Sequence, residues 1–144
     1  MTGLVPYIIC DGAARAVEFH VQVLGARETM RLAEPSGKIG HAELDIGGAL
    51  LMLADEYPDY GALGPRSVGG TPVRLHLYVG DVDAVVARAL AAGATLVRPV
   101  QDEFYGDRSG QIEDPFGHVW VLSTRKEQLS TVEIERRFAE LMKR

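Results

Sequence analysis

Apolar and polar positions along the chain follow two alternating periods, and the sequence of periods occurs twice. "VPYIIC" (5–10) is a short apolar run rich in strand formers. Asp11 follows, in place to cap a helix. Ala13, Ala16, Val17, His20, Val23 and Leu24 then recur at helical spacing, and Gly25 stands where a helix stops. "RETMRL" reads as a strand. "IGHAELDI" alternates apolar and polar residues, and "GG" turns the chain into "ALLMLAD", another strand. Residues from about 56 to 72 are rich in Gly, Pro and Tyr and read as a linker.

The order then restarts. "VRLHLYV" is a strand, and "DVDAVVARALAAG" a capped helix with Val82, Val85, Val86, Ala89 and Leu90 on one face. "ATLVRPV", "SGQIED" and "HVWVLST" are strands. "STVE" from Ser130 to Glu133 opens a closing helix as a capping box. "SGKI" echoes "SGQI", and "GALLML" echoes "GHVWVL" at an offset of 69 residues, which also sets Val5 opposite Arg74. Neither copy covers its own sheet, so the two should pack as a pair. The expected architecture is α+β: two βαβββ modules (about 4–55 and 73–124) forming a curled mixed-sheet cup, with a C-terminal helix over about 130–144. "DPFG" (114–117) has the residue preferences of a type I turn, so it reads as structural. Trp120 alternates with Val119 and Val121 and reads as core under a helix.

Composition narrows the function classes without choosing one. The chain has 144 residues, enough for one domain with a real core, and 47% of them are hydrophobic. A formal net charge of -5 with no Lys/Arg cluster argues against nucleic acid. The single cysteine, Cys10, excludes an internal disulfide and reads as buried and inert. No apolar stretch reaches membrane-spanning length and no signal peptide is visible, so no membrane partner and a cytoplasmic location are expected. There is no P-loop, GxGxxG, HExxH or nucleophile elbow, and no cofactor is expected.

The paired modules, with "HLYVGDVDAVVARALAAGA" and "FYGDRSGQIEDPFGHVWVLST", resemble the vicinal oxygen chelate superfamily of glyoxalases, extradiol dioxygenases and fosfomycin- and bleomycin-resistance proteins. Within it they look like the glyoxalase-like, phosphonate-operon-associated branch. The resemblance covers the chain to about Thr124. It implies four metal-ligand positions, one in the first and one in the last strand of each module. Those positions hold Val5, Met52, Arg74 and Val121, none of them an ordinary ligand, so the metal site is expected to be lost. His76 lies two residues past Arg74 on the same strand face and would become a ligand if that alignment slipped.

Strand alternation then gives the lining of the cup. With Arg74 facing in, His76 and Tyr78 face in too, while Leu75, Leu77 and Val79 pack under the second helix. Val5, Tyr7, Ile9, Leu50, Met52, Val119 and Val121 face in by the same rule. His41, Glu43 and Asp45 face either the cup or solvent, and the sequence leaves both open. Phe104, Tyr105 and Arg108 stand at the cup's mouth, with Asp107 and Arg108 placed to pair locally. The expected ligand-binding set is Tyr7, Met52, Arg74, His76, Tyr78, Phe104, Tyr105, Arg108 and Val121. Arg74 has a structural alternative, a salt bridge to Glu43, Asp107 or Glu113. His76 has one too, as a hydrogen-bonded core histidine. His20 and His118 read as structural.

Three functions fit. The first is a metal-free homodimer that holds a small hydrophobic or aromatic molecule and sequesters it, as bleomycin-resistance members do. The second is an enzyme without the metal, with His76 as general acid or base and Arg74 holding an anionic oxygen. The third is a metal-dependent glyoxalase-like lyase or dioxygenase, which requires a different alignment.

Overall fold

The two periods resolve into two four-stranded mixed sheets in a computed structural model that describes residues 2–144. In chain order the first module is β1 (Tyr7–Cys10), α1 (Ala13–Leu24), β2 (Arg27–Ala33), β3 (Ile39–Ile46) and β4 (Ala49–Asp55). The second is β5 (Arg74–Tyr78), a helix at Val82–Ala91, β6 (Thr95–Asp102), β7 (Asp107–Glu113) and β8 (Val119–Arg125). The connecting segment holds a 3-10 turn (Pro58–Tyr60) and a one-turn helix, α2 (Pro65–Val68), so the Val82–Ala91 helix is α3. A last helix, α4 (Thr131–Met142), closes the chain.

The sheets have the same order, β1-β4-β3-β2 and β5-β8-β7-β6. The β1–β4 and β5–β8 pairs are parallel and the others antiparallel. This is the expected α+β architecture of two βαβββ modules with a C-terminal helix. The connecting segment is more ordered than a linker: Tyr57 and Ala62 form a bridge, and Pro65 is buried.

Local capping follows the sequence in part. Asp81 accepts from the Ala84 amide at 3.2 Å and starts α3, and Ser130 accepts from the Glu133 amide at 3.1 Å and starts α4. The Glu133 carboxylate turns instead to Arg136 and Arg137. Asp11 does not cap α1. The Gly12 and Ala13 amides donate to Asp55 Oδ1 at 3.1 and 2.8 Å, so a carboxylate from the end of β4 satisfies them. Its other oxygen takes the Ile39 amide at 2.7 Å, tying three elements to one side chain.

One hydrophobic cluster draws on both modules, with Leu44 and Leu53 from the first and Ile112 and Leu122 from the second fully buried. Truncating any of these to alanine costs about 2–5 kcal/mol. The modules meet on their helix faces. The His20 ring lies 5.4 Å from that of Trp120, Arg88 donates to the Val23 carbonyl at 3.1 Å, and His118 Nε2 donates to the Ile9 carbonyl at 2.8 Å. Among the described residues, no strand of one sheet is hydrogen-bonded to a strand of the other. The opposite faces carry exposed side chains, Tyr7, Met30 and Leu32 on the first sheet and Arg74, His76 and Tyr78 on the second, and are open.

Candidate functional site

The open face of the second sheet is built by alternation along β5. Arg74, His76 and Tyr78 are exposed, while Leu75 and Leu77 are half-buried against the core. Register carries this face across the sheet. His76 lies opposite Val121, Val121 opposite Gln111, and Gln111 opposite Arg98. Tyr78 heads the next row, with Ser123 and Ser109.

Polar partners fix these side chains. His76 Nε2 lies 2.8 Å from Ser123 Oγ, which is 2.9 Å from Ser109 Oγ. The Tyr78 hydroxyl donates to Asp107 Oδ2 at 2.7 Å and receives Arg125 Nη2 at 3.0 Å. Arg125 Nε closes the ring on Asp107 Oδ1 at 2.8 Å. The Asp107 side chain is only 1% exposed, so it is held by a partnered guanidinium and phenol rather than by water. The His76 and Tyr78 rings stack, with 4.9 Å between centroids and 15° between planes. Together they form an exposed aromatic stack that stands up from the sheet as a shelf. Arg74 Nε reaches Gln111 Oε1 at 3.3 Å and makes none of the salt bridges weighed for it.

The hairpin between β6 and β7 divides its residues. Tyr105 is half-buried beside this face. Burial, then the Glu103 carboxylate, pushes its phenol up, against a hydrogen bond with Ser109. Phe104 packs edge-on to Tyr105 and against Phe138 of α4, while Arg137 donates to its carbonyl at 3.2 Å. Arg108 points the other way. Asp83 of α3 takes its Nε and Nη2 at 2.8 and 3.0 Å, and Asp102 takes Nη1 at 3.1 Å. The local Asp107–Arg108 pair is replaced by Asp107–Arg125 and Arg108–Asp83. β7 begins at Asp107 rather than Ser109, so Arg108 alternates onto the helix side.

The first sheet presents a matching face. Tyr7, Met52, Glu43 and Met30 stand in one row across its four strands. Glu43 opposite Met52 and Asp45 opposite Leu50 place His41, Glu43 and Asp45 on the same side as Tyr7. The Tyr7 hydroxyl is 2.9 Å from His41 Nδ1, and His41 Nε2 is 2.8 Å from Glu43 Oε2. The structure thus groups Arg74, His76, Tyr78 and Val121 on one sheet and Tyr7 and Met52 on the other. Asp107, Ser109, Gln111, Ser123 and Arg125 join the first group, and His41 and Glu43 the second. Their signal in the sequence is strand alternation, which names candidates but not the register that aligns them.

The positions that the resemblance makes metal sites hold two valines, a thioether and a guanidinium, a donor set that does not fit a metal ion. Among the described residues no three His, Cys, Asp or Glu side chains gather into a metal-holding group. Cys10 is fully buried, and burial pushes its thiol far up, out of reach of thiolate chemistry. His20 and Trp120 are core residues. The Asp114 carboxylate holds the 114–117 turn by accepting from the Phe116 and His118 amides and from Trp120 Nε1 at 2.9, 3.0 and 3.0 Å. On the helix side, a groove of about 650 Å³ lies between α1 and that turn, lined by Arg15, Phe19, Arg66 and Phe116 among others.

The chain is similar to known proteins in sequence and fold. An uncharacterised protein of Mycobacterium tuberculosis strain H37Rv is 44% identical over 135 residues, 92% of this chain and 79% of that protein. The structure of TioX from Micromonospora sp. ML1 is 31% identical with a TM-score of 0.67, covering 87% of this chain and 99% of that one. Protein PA1353 from Pseudomonas aeruginosa is 27% identical with a TM-score of 0.69, covering 88% and 100%. The profile of the Glyoxalase/Bleomycin resistance protein/Dioxygenase superfamily matches residues 4–122, nearly the whole of both modules, and the chain belongs to that superfamily.

Proposed function

We propose that the protein binds a small, planar, partly aromatic molecule on the open sheet faces, without a metal, in the manner of sequestration or resistance proteins. The observation that carries this reading is the stacked His76–Tyr78 shelf, flanked by Val121 and Arg74 and braced by the buried Asp107. An exposed aromatic pair fixed by a polar network offers a rigid surface for another ring, at little entropic cost. Tyr105 extends this lining on the second sheet, and Tyr7 and Met52 line the matching face of the first. Phe104 acts from behind Tyr105, and Arg108 contributes through the hold of β7 on α3.

The two faces lie on separate sheets, and each becomes an enclosed cup only when another module covers it. A homodimer, in which the first module of one copy meets the second module of its partner, supplies that cover. A cytoplasmic setting and the phosphonate-operon-associated branch accord with the motifs. No described helix is long and apolar enough to cross a membrane.

Acid–base catalysis by His76 with Arg74 is the second reading. His76 hydrogen-bonds a serine pair rather than a carboxylate, and Arg74 meets a glutamine, so neither carries the partner that would tune it for proton transfer. A thermal-shift screen of planar aromatics, followed by titration of His76→Ala and Tyr78→Ala, tests the binding reading. Loss of the ligand-induced shift with retained folding supports it. Equal binding by wild type and both variants contradicts it.

A further inference from the structure

The first sheet carries a second chemical centre, and it is organised differently from the shelf. Glu43, when ionised, only accepts hydrogen bonds, so at 2.8 Å it requires the proton of His41 on Nε2. A neutral His41 then presents the bare lone pair of Nδ1 to the Tyr7 hydroxyl at 2.9 Å, and Tyr7 must donate. The Tyr7 oxygen keeps its lone pairs free. It lies on an exposed residue, while the His41 and Glu43 side chains behind it are 23% and 21% exposed. The acceptor that faces outward is thus backed by a largely screened base and a screened carboxylate.

Soft apolar side chains flank this chain of bonds. Met52 separates Tyr7 from Glu43 in the row, Met30 stands beyond Glu43, and Leu32 lies opposite His41. Thioethers beside a phenol suit an aromatic ring. Asp45 and Arg27 pair at 3.4 Å towards the far end of β3, and Glu34 is bonded to the Tyr57 hydroxyl beside Gly40.

We infer that Tyr7, His41 and Glu43 form a proton relay that binds an aromatic hydroxyl, a phenol or phenol-like enol, and takes up its proton. This deepens the reading of the open faces as ligand surfaces and rests on it. The ligand O–H proton passes to the Tyr7 oxygen as the Tyr7 proton passes to His41 Nδ1. The ligand becomes an oxyanion that accepts from Tyr7. His41 becomes an imidazolium that donates to Tyr7 and to Glu43. One proton moves from ligand to protein, and no electron or other reactant is required. Glu43 accepts from His41 Nε2 throughout, so the proton gained at Nδ1 leaves the His41–Glu43 bond in place.

4-Nitrophenol is the probe, because its phenolate absorbs at longer wavelength than its phenol. Full-length protein is titrated with it across the pH range in which the free probe ionises. The relay predicts that the bound probe is ionised more than the free one, an apparent shift of about one pH unit. It also predicts that Tyr7→Phe, His41→Gln and Glu43→Gln each abolish the shift, with folding checked by circular dichroism. Binding with unchanged ionisation would overturn the relay while leaving the binding reading intact. A shift that survives His41→Gln in folded protein would equally overturn it. Absence of any binding, seen together with a positive screen on other planar aromatics, would sink the relay and not the shelf.

Discussion

The Tyr78 hydroxyl on β5 donates to the Asp107 carboxylate on β7 at 2.7 Å, reaching across the intervening strand β8. The two residues are 29 positions apart, and the contact holds one half of the aromatic shelf at a defined angle. Asp107→Asn keeps the shape but leaves only one carbonyl oxygen for the two donors, Tyr78 and Arg125. The variant should lose about 1–2 kcal/mol of stability by chemical denaturation. It should also weaken ligand binding without touching the ligand. Unchanged affinity in the folded variant would show that the shelf does not depend on its brace.

Asp114 is the buried counterpart at the turn between β7 and β8. Its two oxygens satisfy three donors, so Asp114→Ala leaves the Phe116 amide, the His118 amide and the Trp120 indole without their partner. A loss of about 3 kcal/mol is expected. Trp120 is the only tryptophan, and its fluorescence should move to the red as the ring loosens. A variant with wild-type stability and emission would contradict this role.

His20 makes stability depend on pH. Burial holds its pKa below 6.5, with the Ala16 carbonyl and Asp114 pulling weakly the other way and His118 adding to the drop. The folded state therefore keeps His20 neutral at pH values where the unfolded chain has bound a proton. Stability should be fully present above pH 6.5 and fall as the pH drops below it, by up to about 1.4 kcal/mol per unit from this group. Thermal melts between neutral and mildly acidic pH should show the slope, and His20→Leu should flatten it. An equal slope in that variant would assign the effect elsewhere.

Metal affinity gives a further check. With Val5, Met52, Arg74 and Val121 at the sites that the resemblance makes ligand positions, elemental analysis after incubation with Ni, Zn, Co, Mn or Fe(II) and desalting should find no stoichiometric metal. One retained equivalent would overturn the donor-set argument and bring glyoxalase and dioxygenase assays forward.

Much of this molecule was legible in its sequence because its signals are local. The repeat at an offset of 69 residues exposed the two modules, and the alternation of "RLHLY" alone set Arg74, His76 and Tyr78 on one face. What escaped depends on partners far along the chain. Asp11 sits beside α1, yet the α1 amides are capped by Asp55, 42 residues from Ala13. Nothing local distinguishes the two aspartates. "FYGDRSG" reads as loop and so puts Arg108 at the mouth, but β7 starts at Asp107, two residues before the apparent strand, and the extended alternation carries Arg108 to the helix side. The orientation of His41 and Glu43 needed the pairing of β3 with β4, which alternation cannot supply.

The most direct measurement is a two-dimensional 15N–1H NMR titration of the protein with a small library of planar aromatic fragments. Binding on the open faces predicts shifts concentrated in β1, β5, β8 and the Tyr105 hairpin, with α1 and the 114–117 turn unmoved. Shifts confined to the groove between α1 and that turn, or none from any fragment, would contradict the account.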